Sequence, residues 1–209
     1  MILKIRDFAQ PSRLFVIAAA ALGLAALQAA EAAESTHTPL DLSKCRHAAG
    51  AVVEDYGEWH CKGFAGIGVY VTAGDQRSYV SFGSNAAREP AAKQTFAAFN
   101  GEGKTIEWRW ERSAGGKSKP FAAILRWSTV ISSASTEPVH GEILVVTRLG
   151  PGAVCHIGYV DARANADANT LAQRIADQHA RNFHCGTDKP VMLGAKGPGF
   201  SEPSGGSGE

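Results

Sequence analysis

The set of four cysteines is the feature that most constrains how this 209-residue chain folds. In an exported protein, an even number of cysteines indicates two disulfides, and four cysteines allow three pairings. Each bridge holds together two segments that are distant in sequence, so the fold has to bring those segments into contact. The cysteines are Cys45, Cys61, Cys155 and Cys185.

Residues 1–32 have the three-part pattern of a secretory signal peptide. Basic residues precede an apolar run at 14–27, and Ala30-Glu31-Ala32 fits the A-x-A rule for cleavage after Ala32. The apolar run is shorter than the roughly 20 residues that span a bilayer, which favours a cleaved signal over a membrane anchor. The sequence therefore predicts a periplasmic or secreted protein with no membrane attachment after the signal is removed.

Charge and composition exclude one class of partner and indicate the domain organisation. Lys and Arg number 21 against 20 Asp and Glu, and the sequence has no basic run, so we expect no nucleic-acid partner. Residues 33–193 have the length of one ordinary globular domain. Residues 194–209 are rich in Gly, Pro and Ser with a single aromatic residue, Phe200, and are predicted to be disordered.

Alternating and β-rich segments predict an antiparallel sheet of about five to seven strands. Residues 68–83 are typical of a hairpin that turns at Gly74-Asp75. Residues 104–112 alternate between apolar and charged, which puts Trp108 and Trp110 on one face of a strand. Further strand-like segments, joined by turns, lie at 121–132, 142–150 and 153–160.

Two helices complete the predicted fold. Four side chains recur every fourth residue with alanines beside them, which predicts an amphipathic helix over about 169–183, packed on one face of the sheet. They are Leu171, Ile175, His179 and Phe183. A weaker apolar spacing predicts a short N-terminal helix at 41–54. The predicted fold class is therefore α+β, an antiparallel sheet with a C-terminal helix, a short N-terminal helix and two disulfides.

The order of strand and helix favours one pairing of the cysteines. A strand at 153–160 covers about 17 Å, and the helix that follows returns about 20 Å. Cys185 then lies at the level of Cys155, while Cys45 and Cys61 flank the predicted N-terminal helix. We favour the bridges Cys45–Cys61 and Cys155–Cys185, and the two crossed pairings stay open.

Three histidines directly beside cysteines suggest a metal site as an alternative: His60, His156 and His184. A structural zinc site needs short paired spacings between its ligands, and no two cysteines are that close. Neighbours on a strand point to opposite faces, and an oxidised cysteine provides no thiolate. We therefore assign no metal ligand and no cofactor, and leave open whether the three histidines converge.

The sequence has no pattern that indicates a catalytic or calcium site. Residues 161–169 resemble part of a calcium-binding loop, but the glycine and the final glutamate of such a loop are missing. The carboxylates Glu54, Asp55 and Glu58 have no fixed separation, and the sequence has no nucleophile motif. We therefore assign no catalytic residue and do not expect an enzyme.

These observations favour a non-enzymatic binding or interaction module, whose partner is an envelope protein or a small ligand. One alternative is a secreted inhibitor that acts through a protruding loop, at 103–119 or at the hairpin 70–79. Another is a hydrolase with a site dispersed along the chain. The tryptophans could form an exposed aromatic platform, but most share a face with other apolar residues, which favours the core. They are Trp59, Trp108, Trp110 and Trp127.

Overall fold

The computed structural model of this chain describes residues 33–48, 56–113, 115–133 and 136–205. The predicted signal peptide lies outside them. Within the described residues the chain forms twelve strands and one α-helix, α1 (Ala168–His179). The strands, in chain order, are β1 (Glu34–Pro39), β2 (Arg46–His47), β3 (Gly57–Lys62), β4 (Gly68–Gly74), β5 (Arg77–Phe82), β6 (Thr95–Phe96), β7 (Phe99–Arg112), β8 (Ser118–Ser133), β9 (Thr136–Arg148), β10 (Cys155–Asp161), β11 (Val191–Met192) and β12 (Pro203–Ser204).

The larger sheet has six strands in the order β1-β7-β8-β9-β10-β11. Its neighbours run antiparallel, except that β11 runs parallel to β10. The long strands β7, β8 and β9 follow one another in the chain and in the sheet, as expected when short turns join antiparallel neighbours. This confirms the predicted antiparallel sheet.

Strands β2-β3-β4-β5 form a separate four-stranded sheet. The predicted hairpin is β4 and β5, and its turn lies at Asp75 and Gln76, whose φ angles are 49° and 58°. Two successive positive φ angles give the tight turn that matches the twist of the flanking strands. The division of strands among separate sheets was not predicted, because local patterns identify strands but not their distant neighbours.

The larger sheet is buried on both faces. Trp108 and Trp127, each at most 1% exposed, lie in the core between the two sheets. On the opposite face α1 packs through Leu171 and Ile175 against apolar side chains of the larger sheet. The predicted C-terminal helix is therefore confirmed, and the tryptophans of β7 and β8 belong to the core rather than to an exposed platform.

Polar residues of β7 fix the helix in position. Arg109 is 7% exposed and donates through Nε and Nη2 to the two carboxylate oxygens of Asp177 in α1, at 2.9 and 2.7 Å. Its Nη1 donates to Ser35 Oγ in β1 at 2.6 Å. Gln173 Nε2 donates to Glu107 Oε1 at 2.7 Å. A bidentate pair, in which a buried guanidinium donates to both oxygens of a carboxylate, fixes the orientation of the helix relative to the sheet as well as its distance from the sheet.

The disulfides are Cys45–Cys61 and Cys155–Cys185, so the favoured pairing is confirmed. Their Cα–Cα distances are 4.6 and 5.9 Å. The first bridge ties the N-terminal segment to β3. The second joins the start of β10 to the segment that follows α1.

The helix predicted for residues 41–54 is not seen in the described part of that segment. Leu42–Lys44 form a single 3-10 turn, and Arg46–His47 form a strand paired with β3. Residues 49–55 lie outside the described residues. The apolar spacing was misleading because Cys45 is half-buried through its bridge to β3 and not by a helical face.

The Gly/Pro-rich segment 194–205 lies against the domain, which differs from the disorder expected of it. Phe200 is 9% exposed and belongs to the core, and Gly197 donates its backbone N–H to Asp161 Oδ2 at 2.8 Å. Strand β12 pairs with β6. Composition predicted disorder because the segment has few apolar residues, but one buried aromatic ring and these backbone bonds hold it in place. Residues 206–209 lie outside the described residues.

Candidate functional site

A cavity of about 550 Å³ lies beside β10. It forms where the start of that strand meets the segment after α1 and residues 196–205 of the C-terminal segment. A cavity of about 640 Å³ beside the β4–β5 turn is larger, but its lining contains no histidine or tyrosine, and Asp75 and Gln76 there are exposed. The cavity beside β10 combines apolar walls with buried polar groups, as small-ligand sites do.

The floor of this cavity is formed by two polar aromatic side chains of β10, His156 and Tyr159, which are 1% and 4% exposed. Nδ1 of His156 lies 3.2 Å from the hydroxyl oxygen of Tyr159, and the imidazole tautomer decides which group donates. In a regular strand, residues three apart point to opposite faces. Here the ladder with β9 shifts between His156 and Gly158, and this bulge turns both side chains to one side.

Neighbouring residues hold the floor in place. The backbone N–H of His156 donates to Gln94 Oε1 at 2.7 Å, and Gln94 also lines the cavity. The ring of Trp127 lies edge-on to His156 at 6.2 Å, and that of Phe96 lies edge-on to Tyr159 at 5.7 Å. The edge-on contacts restrict the orientation of the two floor rings, and the bond to Gln94 holds the backbone at His156.

Burial sets the charge of the floor. Loss of solvation lowers the pKa of His156 from 6.5 to about 3, because the imidazolium would have to leave water. The same cause raises the pKa of Tyr159 above its ordinary value. Both side chains are therefore neutral at neutral pH, and they offer a ligand hydrogen bonds without a formal charge.

The walls of the cavity are apolar and contain aromatic rings. Phe183 and Phe200 are buried, and Met192 is half-buried. Proline and phenylalanine present flat surfaces, and a methionine thioether adapts to irregular shapes and contacts aromatic rings favourably. The apolar wall residues are Pro90, Phe183, Pro190, Met192, Phe200 and Pro203.

The mouth of the cavity is lined by two acidic and two basic residues: Asp188, Lys189, Lys196 and Glu202. Lys196 Nζ lies 2.7 Å from Glu202 Oε1 and 4.6 Å from the centre of the Phe200 ring. The backbone N–H of His184 donates to Asp188 at 2.8 Å and lowers the pKa of that carboxyl. The charges at the mouth balance, so this rim does not select strongly for either sign of ligand.

One wall of the cavity is attached to the sheet mainly through the disulfide. In the described structure, the backbone hydrogen bonds of residues 182–190 join this segment to itself or to His179, and Sγ of Cys185, which belongs to the disulfide, lies 3.3 Å from the carbonyl oxygen of Ala153. The segment is fixed to the rest of the domain by the Cys155–Cys185 bridge and by the buried ring of Phe183. The second disulfide therefore shapes the cavity as well as crosslinking the chain.

The structure does not bring together the three histidines that stand beside cysteines. His60 Nε2 lies 3.0 Å from Glu58 Oε1, His184 Nδ1 lies 3.4 Å from Asp188 Oδ2, and His156 contacts Tyr159. Across the part of the chain that the structure describes, no three His, Cys, Asp or Glu side chains form a group able to hold a metal ion.

The calcium-like segment and the acidic cluster have other partners. Asp161 accepts the backbone N–H groups of Arg163 and Ala164 at 2.9 and 3.0 Å, so its carboxylate organises the loop after β10. Of the three acids considered for glycoside chemistry, Glu58 pairs with His60, and Glu54 and Asp55 lie outside the described residues.

Sequence reasoning identified the disulfide of this site but missed its floor. His156 and Tyr159 were not grouped, because strict alternation places them on opposite faces. Gly158 between them was the available signal, since a glycine inside a strand often marks a bulge. Phe200 was the second signal, as the single aromatic residue of an otherwise polar tail.

Comparison with protein families, with characterised proteins and with solved structures finds no match to this chain. The two disulfides favour an oxidising compartment outside the cytoplasm. Among the described residues, no helix is both long and apolar enough to cross a membrane.

Proposed function

We propose that this protein is an exported, disulfide-stabilised binding module that holds a small ligand in the cavity beside β10. The observation that carries the proposal is the neutral His156–Tyr159 pair, buried at the floor of a cavity with apolar walls. The two groups bond to each other and keep further hydrogen-bonding capacity, and ligand sites place a few such polar groups among apolar side chains.

The disulfides support the same proposal in two ways. They suit a protein that works in the periplasm or outside the cell, where thiols are oxidised. In addition, the Cys155–Cys185 bridge fixes the wall formed by residues 183–190 before any ligand arrives. A preformed site avoids part of the ordering cost of binding.

The experiment is a thermal-shift screen of small fragments on the oxidised mature protein, with two matched variants. Thr187 is exposed and lines the cavity, so Thr187→Trp places a large side chain in its mouth. Thr170 is exposed on α1 and does not line the cavity, so Thr170→Trp is the control.

The proposal predicts fragments that raise the melting temperature of the wild type and of Thr170→Trp but not of Thr187→Trp. Ligand binding stabilises the folded state by RT ln(1 + L/Kd), where L is the ligand concentration, so a weak fragment gives a measurable shift when its concentration exceeds its Kd. A screen without stabilising fragments, or fragments that stabilise all three proteins equally, would contradict it.

A further inference from the structure

We infer that the cavity beside β10 selects an uncharged aromatic ligand that carries one hydroxyl group, which binds between His156 and Tyr159 while the aromatic body lies against Phe183 and Phe200. This inference rests on the proposed function and names the ligand class of that site. It follows from the geometry of floor, walls and mouth, taken in turn.

The floor accommodates a group that both donates and accepts a hydrogen bond. The His156 ring and the Tyr159 hydroxyl lie 3.2 Å apart, so one donates to the other and the pair keeps further donor and acceptor capacity. A hydroxyl matches either tautomer of the imidazole, because it carries one donor and two acceptor positions. A group that only donates or only accepts uses one part of this capacity, whereas a hydroxyl can use both.

The floor also disfavours a charged ligand group. His156 and Tyr159 carry no formal charge at neutral pH, and the charged residues of the lining, Asp188, Lys189, Lys196 and Glu202, stand at the exposed mouth. A carboxylate or ammonium group that reached the floor would lose its hydration without meeting an opposite charge. A hydroxyl loses far less, because neutral hydrogen bonds replace those to water.

The walls favour a flat aromatic body over a flexible chain. Phe183 and Phe200 supply rings, and Pro90, Pro190 and Pro203 supply rigid flat surfaces. Aromatic rings in offset or edge-on contact attract each other beyond what the burial of their area provides. A rigid ring system also loses less rotational freedom on binding than an alkyl chain of similar size.

The test uses four bicyclic probes with the same ring and the same point of substitution: naphthalenemethanol, naphthoate, naphthylmethylammonium and methylnaphthalene. Their affinities for the oxidised mature protein are measured by titration calorimetry at neutral pH. We expect the alcohol to bind at least about tenfold more tightly than the anion, the cation and the hydrocarbon.

A floor variant tests the position of the hydroxyl. Tyr159→Phe keeps the ring and removes only the hydroxyl, so we expect the preference for naphthalenemethanol over methylnaphthalene to fall several-fold. The affinity for methylnaphthalene itself should change little, which separates a lost hydrogen bond from general disruption. Thr187→Trp should weaken all four probes.

The possible results separate this inference from the proposed function. A charged probe that binds as tightly as the alcohol and is weakened by Thr187→Trp would overturn the ligand class but leave the cavity as the binding site. An unchanged preference for the alcohol in Tyr159→Phe would overturn the assigned position of the hydroxyl. Failure of all four probes to bind would count against both proposals.

Discussion

The Cα atoms of Cys155 and Cys185 lie 5.9 Å apart, so their disulfide joins the first residue of β10 to the segment that follows α1. This bridge has two consequences. It closes the strand–helix unit on one face of the larger sheet, and it holds the wall of the cavity that contains Phe183. Stability and the shape of the candidate site are therefore linked through one covalent bond.

Replacing both Cys155 and Cys185 by alanine is expected to lower the free energy of unfolding by about 2–4 kcal/mol, because the unfolded chain regains the freedom of a long loop. Amide protection of residues 183–190 in hydrogen exchange is expected to fall further than that of α1. The control is the Cys45→Ala, Cys61→Ala double variant, which should be destabilised while residues 183–190 keep their relative protection. Equal loss of protection in both variants would show that the bridge does not hold the wall.

The Arg109–Asp177 pair is expected to contribute far more to stability than ion pairs at the surface. The Arg109 side chain is 9% exposed, and Asp177→Ala leaves its guanidinium buried without the carboxylate. We expect a loss of about 2–4 kcal/mol in urea unfolding. The exposed pair Arg126–Glu142 is the control, and Glu142→Ala should cost less than about 1 kcal/mol. Similar losses in the two variants would contradict this account of how α1 is attached.

His156 is expected to make the fold sensitive to acid. Its pKa is about 3 in the folded protein, against 6.5 for the free side chain, so the unfolded chain binds a proton first as pH falls. Stability is unaffected above about 6.5 and is lost progressively between about 6.5 and 3, by at most about 1.4 kcal/mol per pH unit. When the free energy of unfolding is measured near both ends of this pH window, it should fall less with decreasing pH for His156→Gln than for the wild type. Parallel curves for the two proteins would show that His156 is not shielded from water.

The C-terminal segment is expected to contribute to stability despite its composition. Phe200→Ala removes a ring from the core and should lower the free energy of unfolding by about 3 kcal/mol. Tyr56 is 41% exposed, and Tyr56→Ala, as the control, should have a much smaller effect. If Phe200→Ala is as stable as the wild type, the segment does not stabilise the domain, and the disorder that its composition predicts would be the better description.

Local patterns predicted much of this fold, and the failures have physical causes. The alternation of Trp108 and Trp110, the four-residue stripe of α1 and the even cysteine count are short-range signals, and each was confirmed. The second sheet, the packed C-terminal segment and the bulge at Gly158 depend on contacts between distant residues. Because the cavity forms where the start of β10, the segment after α1 and the C-terminal segment meet, no single stretch of sequence predicted it.

The most direct test of the account is a nuclear magnetic resonance titration of the isotope-labelled protein, with both disulfides formed, with naphthalenemethanol. The account predicts chemical-shift changes concentrated at the residues around the cavity, with saturation at a single site. Those residues are Gln94, His156, Thr187, Met192 and Phe200. Shifts that concentrate instead at the β4–β5 turn around Asp75 and Gln76, or no shifts at the solubility limit of the probe, would contradict the claim that this cavity is the binding site.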